Sequence, residues 1–122
     1  MSKILLVEDE FAVREMLVDE LTTQGYEVIE AVNGEDGLKK LLEEKPDLVL
    51  CDRAMAVMSG YQMLEIVRKE HSELDDLPFI FITALTDPRD KAAVEHLKPS
   101  AYIDKPIDFK SLAEKVKLFL KK

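Results

Sequence analysis

Three short, uninterrupted apolar runs recur along the chain, and a polar residue follows each of them. The runs are Ile4-Leu5-Leu6-Val7, Leu48-Val49-Leu50-Cys51 and Phe79-Ile80-Phe81-Ile82. Four apolar residues in a row are typical of a strand that is buried on both faces, as central strands of parallel sheets are. The residues that follow the runs are Glu8, Asp52 and Thr83. The pattern therefore predicts three central strands with polar side chains at their carboxyl ends.

Between these runs, apolar residues recur at the spacing of an α-helix. The first three helices are indicated by Val13, Met16, Leu17 and Leu21, by Leu38, Leu41 and Leu42, and by Met63, Leu64 and Val67. Residues 27–31 alternate partially, as an edge strand does, and residues 101–104 predict a short fifth strand. We expect a fourth, weakly apolar helix from Asp87-Pro88 to Leu97, and a strongly apolar fifth helix over residues 109–120.

The order of predicted elements is βαβαβαβαβα. Strict alternation favours parallel strands joined by right-handed crossovers, so that helices cover both faces of the sheet. The predicted fold class is α/β, a doubly wound three-layer sandwich around a five-stranded parallel sheet. A chain of 122 residues without a linker or an internal repeat predicts a single domain, residues 1–122.

The charge balance narrows the range of partners. With 17 basic and 25 acidic residues the net charge is −8, which repels nucleic acid backbones and anionic membrane surfaces. We therefore expect no direct binding to nucleic acid and no membrane association, and no apolar stretch is long enough for a span. Cys51 is the one cysteine, so an internal disulfide is impossible and a reducing, cytoplasmic location is expected.

Five polar residues follow strands that a parallel sheet would bring to one end. They are Glu8 and Asp9 after the first strand, Asp52 after the third, Thr83 after the fourth and Lys105 after the fifth. Each alone has an ordinary structural explanation: acids complement a helix amino end, a threonine ends a strand, and Lys105-Pro106 forms a surface turn. Ligands of open α/β sheets, however, bind beyond the carboxyl ends of the strands.

Taken together, the five residues point to phosphoryl chemistry. Clustered carboxylates repel one another unless a cation joins them, and oxygen ligands with open positions suit Mg²⁺. With the charge partly neutralised, one carboxylate can attack a phosphorus atom and become an aspartyl phosphate, while the metal, the lysine and the hydroxyl hold the phosphoryl oxygens. Asp52, at the end of an uninterrupted apolar run, is the best-placed nucleophile.

With these residues identified, the chain resembles the receiver domains of two-component response regulators, including chemotaxis regulators, along its whole length. Such domains have an acidic pair after the first strand, a phosphoacceptor aspartate after the third, a threonine or serine followed by a small residue after the fourth, and Lys-Pro after the fifth. Glu8-Asp9, Asp52, Thr83-Ala84 and Lys105-Pro106 match these positions. The resemblance implies a flavodoxin-like strand order, 2-1-3-4-5, and a cis peptide bond before Pro106.

The resemblance also implies how the phosphoryl group is held and sensed. Asp52 would accept it, Lys105 would pair with it, and Thr83 would bond to it and move. Tyr102 matches the switch aromatic of the family, and the face formed by the fourth helix, fifth strand and fifth helix would bind an unidentified downstream protein. The donor would be a histidine kinase or a histidine phosphotransfer protein, and the domain would be a monomer or a weak, phosphorylation-dependent dimer.

A Mg²⁺ site is implied in the same way. Asp9 and Asp52 would bind the ion, Glu8 would act mainly through water, and the backbone carbonyl of Ala54 would complete the protein ligands. With the metal bound, the domain would catalyse its own phosphorylation and dephosphorylation but would turn over no separate substrate. It is therefore not expected to be an enzyme in the usual sense.

Two segments depart from the family pattern. The family usually has Asp-x-x-Met-Pro-x-x-x-Gly after the third strand, and Ala56 stands here where proline is usual. The loop beside the acceptor therefore lacks the restriction that proline imposes. Before Tyr102 the family usually has Gly-Ala, whereas Lys98-Pro99 stands here, so a glycine suited to positive φ is missing. We expect the fourth helix to end differently.

Three other functions fit a chain of this fold class: a pseudo-receiver, a Mg²⁺-dependent phosphatase and a flavin protein. A pseudo-receiver would keep the fold and bind partners without phosphorylation, but the complete set of five site residues argues against it. A Mg²⁺-dependent phosphatase would need a second acid two residues after the nucleophile, where Ala54 stands. A flavin phosphate would be repelled by Glu8 and Asp9. The phosphoacceptor receiver domain is the favoured hypothesis.

Overall fold

The computed structural model describes residues 2–52, 58–83 and 95–120, and these ranges contain five strands and four α-helices. The strands are β1 (Lys3–Val7), β2 (Glu27–Ala31), β3 (Leu48–Asp52), β4 (Phe79–Thr83) and β5 (Ala101–Asp104). The helices are α1 (Phe11–Thr23), α2 (Gly34–Glu44), α3 (Gly60–Glu70) and α4 (Phe109–Leu120). Helix α4 is the predicted fifth helix. Of the predicted fourth helix, residues 87–94 lie outside the described ranges, and Glu95–Leu97 form one 3₁₀ turn.

The five strands form one parallel sheet in the order β2-β1-β3-β4-β5, as the resemblance implied. Strands β3 and β4 are buried along their whole length, whereas β2 exposes Glu27 and Glu30, as an edge strand should. Val7 lies beside Cys51 and Thr83 beside Asp104, so the strands end level with one another. We call this the carboxyl end of the sheet and the opposite side its amino end.

Two apolar clusters cover the two faces of the sheet and make the three layers. On one face, alternate strand residues such as Leu5 and Val49 pack against α2 and α3. On the other face, residues such as Leu6 and Leu50 pack against α1 and α4. Each large aliphatic side chain that is fully buried stabilises the fold by about 1.5–3 kcal/mol. The sheet is therefore rigid enough to hold the polar residues at its ends in fixed positions.

The predicted apolar faces of the helices are correct for α3 and α4 and partly wrong for α1 and α2. All three predicted residues of α3 are buried, but Met16 of α1 and Leu42 of α2 are each 42% exposed. Their neighbours Leu17 and Leu41 already fill the contact with the sheet, which leaves these two side chains at the margin of the stripe. None of the helices in the described ranges is long and apolar enough to cross a bilayer.

Three described residues with left-handed backbone angles lie at the amino end of the sheet. Gly25 (φ 94°) follows α1, Lys45 (φ 50°) follows α2, and Lys98 (φ 53°) follows the 3₁₀ turn before β5. Although glycine is absent from this last turn, Lys98 itself adopts the positive φ. Arg68 of α3 supports the turn, since its Nε donates to the carbonyl of Leu97 at 2.7 Å and its Nη2 to that of Lys98 at 3.0 Å.

Candidate functional site

The carboxyl end of the sheet brings the three predicted acids together. One carboxylate oxygen from each of Glu8, Asp9 and Asp52 lies within 4.8 Å of the others. Glu8 directly follows β1, and Asp52 is the last residue of the neighbouring strand β3. Parallel pairing of β1 with β3 is therefore what places acids that are more than 40 positions apart in one cluster.

Lys105 reaches this cluster from β5. Its Nζ lies 3.0 Å from Oδ2 of Asp52 and 3.7 Å from Oε1 of Glu8. Its backbone N–H donates to the carbonyl of Thr83 at 2.8 Å, and the following peptide bond to Pro106 is cis, as predicted. Partial burial lowers the pKa of Lys105, but the bond to Asp52 and the nearby carboxylates outweigh it and raise the pKa above its ordinary value. The side chain is therefore a permanent cation at neutral pH.

Glu8 is the most confined acid of the site, since its side chain is fully buried. Its Oε2 accepts from the N–H of Glu10 at 3.1 Å, whereas its Oε1 accepts no hydrogen bond from the described residues. Burial raises the pKa of Glu8 to about 7, and the nearby charge of Asp52 adds to the rise. An unsatisfied buried carboxylate oxygen costs free energy, so this atom is suited to an additional cation.

The donor set fits Mg²⁺. It consists of carboxylate oxygens, the ligands that this ion prefers, and three carboxylates with one ammonium leave an excess of negative charge when all are ionised. Asp9 is exposed, which leaves the cluster open to solvent on one side, as an ion that keeps several waters requires. Ala54, whose carbonyl was predicted to complete the ligands, lies outside the described residues, as do Ala56 and Ala84.

Thr83 lies on β4, the strand next to the acceptor strand β3, and Tyr102 lies on β5, which pairs with β4. Thr83 is the last residue of β4 and is buried, and Asp52 pairs with its neighbour Ile82. The ring of Tyr102 stacks on Phe81 with centroids 6.2 Å apart, and its carbonyl accepts from Nζ of Lys115 at 2.6 Å. Thr83 therefore lies at the carboxyl end with the acids. Tyr102 lies two residues before the end of β5 and packs on the side of the sheet that α2 and α3 cover.

Arg14 is a site neighbour that the sequence patterns did not single out. Its Nη1 donates to the carbonyl of Glu8 at 2.9 Å, and its Nε lies 3.3 Å from Oε1 of Glu30 on β2. Its guanidinium also lies 5.5 Å from the centre of the exposed Phe11 ring. Arg14 therefore ties the acidic turn after β1 to the first turn of α1. In the sequence, only its position one turn into the first helix, close to the acidic pair, could have indicated this role.

Cys51 lies directly beneath the acceptor. It is fully buried in the cluster on the α2–α3 side, and its Sγ donates to the carbonyl of Asp52 at 3.4 Å. Burial raises the pKa of its thiol well above the ordinary value. The thiol is therefore a small packed core group, as the sequence predicted.

Comparison with known sequences agrees with the geometry. Residues 4–117 match the response regulator receiver domain family. A probable transcriptional regulator, ycf27, of Porphyridium aerugineum is 36% identical over 120 residues, which are 98% of this chain and 48% of that protein. The transcriptional regulatory protein AfsQ1 of Streptomyces coelicolor is 34% identical, with 100% of this chain and 52% of that protein covered. The chain spans about half the length of these curated relatives.

Solved structures show the same architecture. A putative response regulator from Chloroflexus aurantiacus has a TM-score of 0.91 at 32% identity, covering 99% of this chain and 98% of that one. The chemotaxis protein CheY4 of Vibrio cholerae has a TM-score of 0.90 at 28% identity, covering 98% of each chain. The response regulator TrrA of Thermotoga maritima, solved with Mg²⁺-BeF, has a TM-score of 0.86 at 36% identity, covering 98% and 99%. This chain therefore belongs to the response regulator receiver domain family.

Proposed function

We propose that this chain is the phosphoacceptor receiver domain of a two-component phosphorelay, in which Asp52 takes a phosphoryl group from a histidine kinase or a histidine phosphotransfer protein. The observation that carries the proposal is the 3.0 Å contact between Nζ of Lys105 and Oδ2 of Asp52 inside the acidic cluster. Membership of the receiver domain family supports it. A surface ion pair would not need two further acids, one of them fully buried, beside it.

The transfer is a substitution at phosphorus. A carboxylate oxygen of Asp52 forms the new O–P bond as the bond from phosphorus to the donor imidazole nitrogen breaks, and the imidazole keeps the electron pair. The ammonium of Lys105 lies where it can pair with a phosphoryl oxygen and stabilise the charge that develops there. Attack of water on the acyl phosphate later returns the carboxylate and releases inorganic phosphate.

Glu8, Asp9 and Asp52 are the described residues that would hold the metal. When bound, Mg²⁺ would neutralise the charge of the acids and of the incoming phosphoryl oxygens. The chain's own contribution is to keep the acids together before the ion arrives. Buried Glu8, fixed by the N–H of Glu10, and Asp52, fixed at the end of β3, do so.

Phosphorylation would act on partners through Thr83 and Tyr102. A phosphoryl group on Asp52 would draw the Thr83 hydroxyl toward it, and the Tyr102 ring would turn into the space that Thr83 vacates. This would change the expected output face, which consists of the predicted fourth helix, β5 and α4 and binds a downstream protein or domain. The group can shift this equilibrium only by its differential interaction with the two states. The named relatives that are transcriptional regulators support an output of that kind.

The phosphoryl transfer is tested by incubating the protein with acetyl phosphate and Mg²⁺ and measuring its intact mass. The wild type should gain one phosphoryl group, Asp52→Asn none, and the exposed control Asp47→Asn one. A gain in Asp52→Asn would move the acceptor to another residue. No gain in the wild type would favour a pseudo-receiver that binds partners without phosphorylation.

The switch is tested by amide chemical shifts with and without beryllofluoride, a mimic of the phosphoryl group. In the wild type the changes should extend from Asp52 to Tyr102. Thr83→Ala should still accept phosphate, because Asp52 and Lys105 remain, but the change at Tyr102 should be smaller. Changes that stay confined to the residues around Asp52 in the wild type would contradict this route.

A further inference from the structure

Both described ends of the connection between β3 and α3 are packed against glycines. The connection begins at the acceptor Asp52, and five residues, 53–57, separate it from Met58. At its start, Gly60 of α3 lies so close that an added Cβ would be 2.5 Å from the carbonyl oxygen of Asp52 and 2.9 Å from Sγ of Cys51. The first turn of α3 therefore packs on the backbone of the acceptor itself.

The far end of the connection is bound to α2. The N–H of Gly34 donates to the carbonyl of Met58 at 2.9 Å. A Cβ on Gly34 would lie 2.5 Å from that carbonyl oxygen and 2.8 Å from Cγ of Met58. Gly34 is the first residue of α2, where helix N–H groups have no partner within the helix. The contact thus uses a free helix donor and requires a residue without a side chain.

Neighbouring contacts make this a rigid anchor. The side chain of Asn33 accepts from the N–H of Asp36 at 2.8 Å and caps α2. Ser59 and Gln62 exchange hydrogen bonds of 3.0 and 3.1 Å in a capping box that fixes the start of α3. Met58 therefore lies between two capped helix ends, one of which it bonds. Met58 is two residues before Gly60, which packs on the backbone of Asp52, so the anchor on α2 is linked to the acceptor through the start of α3.

We propose that Gly34 is a positioning residue for the phosphorylation of Asp52, acting through Met58. This inference rests on the proposed function. The bond from Gly34 holds Met58, and Gly60, two residues later, packs on the carbonyl oxygen of Asp52. A side chain at position 34 would push Met58 and the start of α3 away from α2, which would disturb the packing of Gly60 on the backbone of Asp52 and shift the acceptor. A misplacement of about 1 Å can lower a rate by about 100-fold.

The test compares Gly34→Ala with Gly25→Ala. Gly25 has a φ of 94° and nothing within 4 Å of an added Cβ, so its variant loses stability through backbone strain at the amino end of the sheet. At a temperature where both variants are folded by circular dichroism, Gly34→Ala should be phosphorylated by acetyl phosphate about tenfold or more slowly than wild type. It should also bind Mg²⁺ more weakly in a calorimetric titration, whereas Gly25→Ala should match wild type in both.

Equal rates and equal Mg²⁺ affinities for the two variants would overturn the inference. If the wild type itself accepts no phosphate, the proposed function fails, and the Mg²⁺ affinities of the two variants still decide the role of Gly34. If Gly34→Ala does not fold, hydrogen exchange of the wild type decides instead. The Gly34 amide should exchange at least about tenfold more slowly than an unbonded amide because it donates to Met58, and an unprotected amide would overturn the proposal.

Discussion

At the amino end of the sheet charged groups pair at the surface, whereas at the carboxyl end they are buried together. The backbone N–H of Lys3 donates to Oδ2 of Asp47 at 2.8 Å, and Nζ of the partly exposed Lys3 lies 3.8 Å from the exposed Glu44. Glu8 and Asp52 at the other end are nearly inaccessible to solvent. Charged side chains therefore contribute little to stability at the amino end, whereas at the carboxyl end they form a reactive site.

The two ends also carry strain of different kinds. At the amino end the cost is in the backbone, because two lysines adopt the left-handed angles that favour glycine. At the carboxyl end the cost is electrostatic, since one carboxylate oxygen of Glu8 accepts no hydrogen bond from the described residues and its pKa is raised. Relief of the first kind should stabilise the protein without changing its chemistry, whereas relief of the second should stabilise it and remove the site.

The largest effect should come from Glu8→Gln in the metal-free protein. Between pH 4.5 and about 7 the unfolded state has lost the proton of Glu8 while the folded state retains it. The folded state then binds more protons, so the free energy of unfolding of the wild type falls as the pH rises through this window. The neutral variant does not lose stability in this way. The stability difference between Glu8→Gln and wild type should therefore be larger near pH 8 than near pH 4, by on the order of 2–3 kcal/mol.

Urea unfolding at both pH values in EDTA measures this difference, with the exposed Glu43→Gln as the control that should show none. Added Mg²⁺ should stabilise wild type and have little effect on Glu8→Gln, because the ion binds the folded site. A difference between wild type and Glu8→Gln that does not change with pH would show that the pKa of Glu8 is the same in the folded and unfolded states.

Arg68→Lys should have the next largest effect, at the amino end. The guanidinium bonds two successive carbonyls, those of Leu97 and Lys98, and a single ammonium cannot reproduce that fork. The loss should be about 1–2 kcal/mol in urea unfolding. Lys69→Ala, at the exposed neighbouring position, is the control and should change the stability little. Equal stabilities for the two variants would mean that the turn before β5 does not depend on Arg68.

Lys98→Gly tests the backbone strain and should stabilise the protein by about 0.5–1 kcal/mol, because glycine accepts φ 53° without a steric penalty. The same substitution at Lys39, an exposed position inside α2, should instead destabilise by about 1 kcal/mol. Thermal unfolding should show a higher melting temperature than wild type for Lys98→Gly and a lower one for Lys39→Gly. A fall in melting temperature for Lys98→Gly would show that the turn is not strained. Phosphorylation should be unchanged in both.

The smallest effect should come from Asp47→Ala, which removes the exposed acceptor of the Lys3 N–H. Exposed contacts of this kind contribute under about 1 kcal/mol. The difference from wild type in urea unfolding should shrink further when salt is raised, since salt screens exposed charges. A loss as large as that expected from Arg68→Lys would mean that the two ends of the sheet do not differ in this respect.

The site was predictable from the sequence because a parallel sheet makes strand ends converge. Apolar runs located the strands, and their alternation with helices was enough to bring Glu8, Asp52 and Lys105 together, which the structure confirms. The strand order came from the resemblance, since periodicity says nothing of which strands are neighbours. The positions of Asp9 and Thr83 after apolar runs likewise predicted that they lie at the carboxyl end of the sheet, although their roles in the chemistry stay predictions.

What the sequence did not reveal depends on contacts between distant segments. Arg68 bonds Leu97, 29 residues away, and Gly34 bonds Met58, and no local pattern marks either pair. The positive φ of Lys98 follows from how the turn is held and not from the propensity of lysine, so the sequence alone gave no sign of it. Met16 was misplaced on the buried face for a related reason, because helical spacing does not say how wide a stripe the sheet can cover.

The buried thiol of Cys51 gives the protein a built-in reporter of unfolding. It is the one cysteine of the chain, it is shielded completely in the folded state, and burial raises its pKa so that little reactive thiolate is present. A thiol reagent should therefore modify the protein only when β3 becomes exposed. The rate of that modification, with and without Mg²⁺, would measure how often the acceptor strand opens, and a second cysteine introduced at the surface could carry a probe without removal of the first.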